Sequence, residues 1–126
     1  MIFRLITPEF VILIHDQVLN PGELHGMALD KSLSGALGRV ENRLHYGLIG
    51  DIYDLGAAYV IAIAQGHCFN DANKRTAFRV LQVVLDMNGI QLNWVTEDVG
   101  QTIIRAAQGR IAEPDLAAWL RVLSGI

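Results

Sequence analysis

The sequence predicts one all-α domain, a compact bundle of about six helices, from three observations. The chain has 126 residues, 52% of them hydrophobic, which is enough for one folded core but too few for two. Apolar residues recur at spacings of three and four along most of the chain, as they do on one face of a helix. Helix start and stop signals follow one another without a repeat, a low-complexity tract or a linker, so residues 1–126 are predicted to form a single domain.

The first helix is predicted from Pro8 to about Leu19. Thr7 precedes the proline as an N-cap, and an Asn-Pro-Gly sequence at positions 20–22 stops the helix. The segment 20–30 contains one proline and two glycines and has no sustained period, which indicates a surface loop.

The second helix is predicted to begin after Asp30, which is interpreted as its cap. Its apolar residues share one face and are Leu33, Ala36, Leu37, Val40 and Leu44. Residues 45–50 form a short apolar piece with two glycines, a composition that also allows a short extended flap instead of helix.

Two apolar helices are predicted in the middle of the chain. Residues 52–64 are nearly all apolar and many are small, as in a helix that is surrounded by protein. After a loop over 67–71, the next helix is predicted to start at about Ala72, with Asp71 as its cap and Gly89 just past its end. Asp71 is therefore expected at a helix N-terminus.

The last two helices are predicted from their acidic first turns. Thr96, followed by Glu and Asp, opens a helix that ends near Gly109, and a Glu-Pro-Asp sequence at 113–115 opens the final helix. Residues 90–95 are interpreted as a short extended connection before them.

Charge, cysteine content and hydropathy exclude several classes of function. Ten Lys and Arg residues against thirteen Asp and Glu give a net charge of -3, which argues against direct binding of nucleic acid. The single cysteine cannot form an internal disulfide, and the first residues lack the pattern of a signal peptide, so a cytoplasmic protein is predicted. The longest apolar run, residues 57–64, is far shorter than the roughly 20 residues that span a bilayer, so no membrane partner is expected.

A polar window, residues 65–76, lies between the two most apolar helices. Lys74 and Arg75 fall in the first turn of a helix, where the helix dipole disfavours each cation by about 0.3 to 1 kcal/mol. A bound anion would reverse that cost, because the free N–H groups of residues 73–75 and both cations would then face negative charge. The window therefore predicts a phosphate site. Its residues are Ala72, Asn73, Lys74 and Arg75.

The same loop contains the remaining groups needed for phosphoryl or nucleotidyl transfer. A polyphosphate normally arrives with Mg2+, a hard cation that prefers carboxylate oxygen, and Asp71 offers a carboxylate just before the helix. His67 lies four residues earlier, and an imidazole can take a proton from a hydroxyl as the oxygen attacks phosphorus. The loop therefore predicts phosphoryl or nucleotidyl transfer with Mg2+, in which His67 takes a proton and Asn73, Lys74 and Arg75 bind the phosphates.

Each of these residues also has an ordinary structural interpretation. A lone loop histidine such as His67 is more often a hydrogen-bonded structural residue than a base, and Asp71 is most simply an N-cap. Lys74 and Arg75 could be a solvated charge pair. The sequence leaves these alternatives open for each residue taken alone, but the combination of all four residues in one loop favours a catalytic site over four separate structural roles.

No catalytic role is predicted for the other histidines, His15, His25 and His45, because none has a partner at ligand spacing. Cys68 is interpreted as a buried small hydrophobe rather than a nucleophile.

The loop and the first helical turn read His67-Cys68-Phe69-Asn70-Asp71-Ala72-Asn73-Lys74-Arg75. This run resembles the signature loop of the Fic/Doc family, H-P-F-x-(D/E)-G-N-G-R-x-x-R, in the variant H-x-F-x-D-x-N-K-R of its Doc-type (death-on-curing) toxins. Chain length and the all-helical prediction agree with a minimal domain of that family, so the resemblance covers essentially the whole chain. It implies that His67 is the base for a target hydroxyl and that Asp71 binds Mg2+. It also implies that Asn73 and Arg75 hold nucleotide phosphates, with Phe69 anchoring the loop.

Four departures from the general family pattern bear on the reaction. Cys68 replaces a proline, and Ala72 and Lys74 replace two glycines. Phe78 stands where the second arginine would be. Ordinary Fic enzymes transfer AMP from ATP, but Lys74 crowds and recharges the place where the nucleotide phosphates normally lie. In Doc-type toxins the same lysine accompanies transfer of the terminal phosphate to a translation elongation factor. The resemblance therefore implies transfer of phosphate from ATP, with Mg2+, to a protein hydroxyl, with His67, Lys74 and Arg75 as the catalytic residues and AMP transfer as the alternative.

The resemblance also implies an inhibitory partner. Many family members carry an inhibitory helix with the pattern (S/T)-x-x-x-E-(G/N), but Leu37 stands where Ser or Thr would precede the pair Glu41-Asn42. A separate antitoxin is therefore expected, with an amphipathic segment that folds on binding. The flap at 45–50 is a candidate docking edge for an extended target peptide. A toxin that cleaves RNA and a silent nucleotide-binding module are two further alternatives.

Overall fold

The computed structural model describes residues 2–125 and contains six helices in that range. They are α1 (Pro8–Val18), α2 (Leu33–His45), α3 (Ile52–Gly66), α4 (Asn73–Met87), α5 (Thr96–Ala107) and α6 (Glu113–Leu123). Within these residues no strand forms, and the only β-type pairing is an isolated antiparallel bridge between Met27 and Phe69. The predicted all-α fold is confirmed.

The start of α1 agrees with the prediction and the start of α2 does not. The Thr7 hydroxyl accepts a hydrogen bond from Phe10 N at 3.2 Å and caps α1. For α2 the cap is Ser32, whose hydroxyl accepts from Gly35 N at 2.9 Å, and the prediction of Asp30 as the cap is wrong. Asp30 instead has a φ of 62°, a left-handed turn conformation that aspartate tolerates better than most residues.

The start of α4 also differs from the prediction that Asp71 caps it. Ala72 is the N-cap residue, with a φ of 66°, and no side chain caps this helix. The Asp71 carboxylate turns away from the helix and accepts a hydrogen bond from Leu24 N at 2.8 Å. A contact across 47 residues therefore takes the place of the local cap.

Residues 45–50 do not form an extended flap. His45 ends α2, and the chain then turns through Gly47, with a φ of 73° and a hydrogen bond from Leu48 N to Arg43 O at 2.9 Å. A glycine in the left-handed conformation with such a hydrogen bond is a common helix C-terminus, and the chain continues as coil after it. Tyr46 is 75% exposed at the turn, whereas Ile49 is buried and holds the segment against the core.

Helix α3 is the central element of the bundle, as its composition predicts. It packs against α2, α4, α5 and α6. Its small residues allow close approach: a Cβ added at Gly56 would lie 2.9 Å from Cδ1 of Leu81 in α4. This close packing holds α3 against α4, the two helices that the candidate site loop connects. No helix in the described range is both long and apolar enough to cross a membrane.

One surface ion-pair cluster joins the last helix to the start of α3. The guanidinium of Arg121 in α6 donates to both carboxylate oxygens of Asp51, at 2.8 and 3.1 Å, and to Asp54 at 2.6 Å. Asp51 is also the N-cap of α3 and accepts from Asp54 N at 2.8 Å. Arg121 holds the pKa of Asp51 below its usual value, because its hydrogen bonds favour the ionised carboxylate.

Candidate active site

The candidate site is the loop between α3 and α4, and it begins and ends with left-handed residues. His67 ends α3 with a φ of 48° and is exposed to solvent. Ala72 starts α4 with a φ of 66°. Neither residue is glycine, and the left-handed region costs such residues about 1 to 2 kcal/mol each, so other contacts must hold the loop in place.

Asn73 supplies the first of these contacts by binding the backbone of Phe69 twice. Its Oδ1 accepts from Phe69 N at 3.0 Å, and its Nδ2 donates to Phe69 O at 2.9 Å. The Phe69 side chain is 3% exposed and packs in the core. The amide of Asn73 keeps one N–H that these two bonds do not use, and that hydrogen can still serve a phosphate oxygen.

The loop between α1 and α2 lies against the same segment. Ala28 N donates to Cys68 O at 2.8 Å, and Asn70 N donates to Gly26 O at 3.2 Å. The Cys68 side chain is buried, and burial raises the pKa of its thiol. A buried thiol with a raised pKa is a poor nucleophile, which agrees with its interpretation as a small hydrophobe.

His15 of α1 is a supporting residue that the sequence analysis assigned no role. It is 1% exposed, and its Nε2 lies 2.8 Å from the backbone oxygen of Asp71, to which it donates a hydrogen bond. The His15 ring also stacks on Phe69, with ring centres 3.9 Å apart and planes 8° apart. The available signal was its position on the buried face of α1, four residues after Val11, where a polar side chain needs a partner.

The N-terminus of α4 has the open N–H groups that an anion site requires. The first intrahelical hydrogen bond runs from Thr76 N to Ala72 O at 2.9 Å. Among residues 2–125, none accepts a hydrogen bond from the backbone N–H groups of 73–75. Lys74 and Arg75 are exposed beside them, so free donors and two cations are grouped at one end of one helix.

Arg75 is engaged by Glu23, a second residue that the sequence analysis missed. Its Nη1 and Nη2 donate to the two carboxylate oxygens of Glu23 at 2.7 and 3.1 Å, and Nη1 also donates to Val18 O at 2.7 Å. This pairing lowers the pKa of Glu23 to about 2. The Nε–H and one Nη2–H of Arg75 have no acceptor in the described part of the chain, so one edge of the guanidinium is left for a ligand.

The structure thus places the predicted site residues on one loop and the first turn of one helix. His67 lies at the α3 end, and Asp71 to Arg75 lie at the α4 end. No sequence signal links Glu23 to Arg75, because the two residues are 52 positions apart and meet only after α1 and α4 have packed.

Asp71 offers one carboxylate to a magnesium ion, whose other ligands would have to be waters and the phosphate oxygens of a substrate. In the described residues, no group of three His, Cys, Asp or Glu side chains could hold a metal ion without other ligands. Mg2+ in nucleotide enzymes is typically held by one or two carboxylates, waters and phosphate oxygens, so a single carboxylate is a sufficient protein contribution. The hydrogen bond from Leu24 N uses Oδ2 of Asp71 and fixes the orientation of the carboxylate, whose Oδ1 is left for a cation.

Comparison with known proteins identifies the family. A family model described as "Fic/DOC family" matches residues 5–85, which run from just before α1 into the last part of α4. The chain belongs to the Fic/DOC family. It is also similar to "Protein kinase doc" of Escherichia phage P1, with 37% identity over 123 residues that cover 97% of each chain. The matched range includes the loop 67–72, the N-terminal end of α4 and Glu23, so the Fic/DOC resemblance seen in the motif is confirmed.

Proposed function

We propose that this chain is a protein kinase that transfers the terminal phosphate of ATP to a hydroxyl side chain of a protein. The observation that carries the proposal is the uncapped N-terminus of α4, where free N–H groups and two cations lie next to the loop that bears His67. The near full-length similarity to a protein kinase of the same family supports phosphate as the transferred group.

The phosphates of ATP would lie at the start of α4. The N–H groups of residues 73–75 would bind phosphate oxygens, and the exposed ammonium of Lys74 would add a compact positive charge. The open edge of Arg75 would bind two oxygens. These fixed positive groups would lower the barrier by stabilising the charge that develops on the transferred phosphate.

His67 would accept the proton of the attacking hydroxyl. Its exposure at the end of α3 allows a protein substrate to reach it, and its backbone is fixed by the last turn of a central helix. A base on a rigid element loses little rate to misalignment. Asp71 would hold Mg2+, which supplies charge neutralisation for the phosphates when it is bound.

The family resemblance extends the proposal to a biological context. The target would be a translation elongation factor, and its phosphorylation would block translation. A separate antitoxin would restrain the enzyme through an apolar segment that folds on the helices. Large hydrophobic side chains are exposed on α1 and the loop after it, which gives such a segment apolar surface to cover. They include Phe10, Leu13, Leu24 and Leu29.

The test is a transfer assay with ATP labelled at either the first or the last phosphate. The purified chain is incubated with Mg2+, the labelled ATP and a purified elongation factor, and the intact mass of the factor is measured. We expect the elongation factor to carry label from the last phosphate of ATP and to gain the mass of one phosphate. With His67→Ala, the factor should gain neither label nor mass. Label from the first phosphate on the factor, together with the added mass of AMP, would show that the chain transfers AMP and is not a kinase. Activity that survives in His67→Ala, or loss of RNA without protein modification, would overturn the proposed mechanism.

A further inference from the structure

Two cavities lie along α4, and only one of them is separate from the candidate active site. The cavity of about 530 Å3 that Phe78 and Gly100 line shares its two cations with that site and is part of it. The other cavity, of about 360 Å3, contains none of the predicted site residues and is called the α4 groove here. One wall of the groove is a stripe of polar side chains on α4, Arg79, Gln82 and Asp86, and the other wall is the segment 90–94.

The segment 90–95 has the pattern of a β-strand that lacks a neighbouring strand. Exposure alternates along it: Ile90, Leu92 and Trp94 are half-buried, and the residue after each of them is exposed. Within residues 2–125, the backbone N–H and C=O groups of 91–94 make no hydrogen bond to another backbone group. A row of open backbone groups of this kind can pair with an extended chain from another molecule.

Both ends of the segment are fixed, so its free edge is already formed. Gly89, with a φ of 80°, turns the chain after α4, and Ile90 N donates to Leu85 O at 2.9 Å. At the other end, Trp94 packs edge to face on Phe78, with ring centres 5.7 Å apart. The segment therefore runs back along α4 toward the first half of that helix. A chain that pairs with such an edge does not have to order it first, which lowers the entropic cost of binding.

Charge at the two ends of the segment selects the chain that can pair with it. Asp86 lines the groove near the start of the segment, and Glu97 and Asp98 follow its end. All three are exposed, and none makes an ion pair in the part of the chain that the structure describes. We propose that the α4 groove binds an extended, basic segment of a partner protein, which pairs with the backbone of 91–94 as an added strand. This proposal does not depend on phosphate transfer.

A second copy of this chain is the alternative occupant, and the same charges disfavour it. Residues 90–95 are uncharged and include Ile, Trp and Val, which are good strand formers, so two copies could pair edge to edge. In an antiparallel pair, however, Asp86 of one copy would lie near Glu97 and Asp98 of the other, and in a parallel pair each carboxylate would lie near its own copy. Like charges in such positions destabilise a strand pair, whereas a basic partner meets opposite charge.

The experiment uses a short basic peptide as the probe, the acetylated hexapeptide amide Lys-Thr-Lys-Thr-Lys-Thr. Two control peptides have Glu in place of each Lys, or a methyl group on every backbone nitrogen, which blocks strand pairing. Binding to the full chain is measured by NMR titration, and amide hydrogen exchange is measured at residues 91–94. We expect saturation with the basic peptide to slow exchange at 91–94 by about tenfold or more. The two control peptides should bind more weakly and leave that exchange unchanged.

A matched pair of variants tests the contribution of charge. Asp86→Asn should weaken binding of the basic peptide by about two- to fivefold. Asp115→Asn, which changes an exposed carboxylate in the first turn of α6 outside the groove, should bind the peptide as the wild type does.

Three results would overturn the inference. The first is a basic peptide that does not bind, or that binds without slowing exchange at 91–94. The second is equal binding of the acidic peptide. The third is a dimer in analytical ultracentrifugation whose amides at 91–94 are protected without peptide, which would assign the edge to a second copy. None of these measurements uses ATP, so they are independent of the transfer assay.

Discussion

Single residues from outside the candidate loop hold it in its strained conformation. His15 binds the backbone oxygen of Asp71 and stacks on Phe69, so it fixes two loop residues at once. Because the Asp71 carboxylate is the expected Mg2+ ligand, a shift of its backbone would change the position of that ligand. We therefore propose that His15 positions Asp71, although the two residues lie in different parts of the chain.

Substitution of His15 tests this role. His15→Phe keeps a ring that can stack on Phe69 but leaves the Asp71 oxygen without its donor, which should lower the free energy of unfolding by about 1 to 2 kcal/mol. The Mg2+ concentration needed for half-maximal phosphate transfer should also rise, which a general loss of stability would not cause in the folded fraction. Urea unfolding and Mg2+ titration measure the two effects. His45→Phe, at an exposed position, is the control and should change neither.

Glu23 is the acidic partner of Arg75, and we propose that it sets how much positive charge Arg75 presents to a bound phosphate. Its carboxylate pairs with one end of the guanidinium and cancels its charge locally. Glu23→Gln keeps the shape of the side chain but removes the negative charge, so ATP binding should tighten by about two- to fivefold. Calorimetry measures the change, and Glu41→Gln, an exposed acidic position in α2, should leave the affinity unchanged. Weaker ATP binding in Glu23→Gln would contradict this and mean that Glu23 aligns Arg75.

The pair of Glu23 and Arg75 should not act as a pH switch near neutrality. The folded-state pKa of Glu23 is about 2, below its ordinary value of 4.5. A lowered pKa means that the contribution of the pair to stability is complete above the ordinary value and is lost only as the pH falls from there toward 2. The effect of Glu23→Gln on ATP affinity should therefore be the same across the range of about pH 7.5 to 9, where the terminal phosphate of ATP is also fully ionised. An effect that declines within this range would contradict the observed pairing.

At the scale of helices, local signals place most starts and ends, and long-range contacts join the helices. Helix α1 is capped locally by Thr7, next to Pro8. Helix α3 is capped locally by Asp51, whose side chain accepts a hydrogen bond from Asp54 N. Arg121, by contrast, reaches from α6 to the N-cap carboxylate of Asp51 and to Asp54 in the first turn of α3, across 70 and 67 residues. This cluster is the ionic connection that holds α6 on the N-terminal end of the central helix.

Removal of Arg121 should therefore weaken the fold in a pH-dependent way. Arg121→Met keeps the length of the side chain but breaks its bonds to Asp51 and Asp54, and should cost about 1 kcal/mol of unfolding free energy at pH 7. Arg121 lowers the pKa of Asp51, so its stabilising effect is present above the ordinary aspartate value and is lost as the pH falls below about 4. Urea unfolding of both proteins at pH 7 and pH 3 measures this. A difference that is as large at pH 3 as at pH 7 would contradict the ionic origin.

At the scale of the whole molecule, one core connects all six helices. Helix α3 contributes buried residues along its length and packs against four of the other helices. Such a core predicts that the chain unfolds as one cooperative unit. Thermal unfolding should give a single transition, with the same midpoint in far-ultraviolet circular dichroism and in tryptophan fluorescence. Two separate midpoints would contradict the single domain that the sequence predicts.

The sequence predicted the helices better than their caps. The starts of α3 and α6 depend on residues within a few positions of them, so hydrophobic periodicity and local start signals were sufficient to predict where these two helices begin. Asp30 and Asp71 carry the same local signal as true caps, yet the structure uses Ser32 and Ala72 instead. Asp71 could not be placed from the sequence, because its preferred partner, Leu24 N, comes from a distant loop.

The helical fold, the family and the residues of the signature loop were available from the amino-acid order alone, since helix periodicity and a contiguous motif are local properties of the chain. The contacts that hold the loop, from His15 and Glu23, and the pocket that Phe78 of α4 and Gly100 of α5 line were decided only by tertiary structure. Their residues come from α1, the loop after it and α5, and they reach the start of α4 only when the helices pack around α3. Packing of this kind depends on the relative positions of whole helices, and no pattern within one helix encodes it.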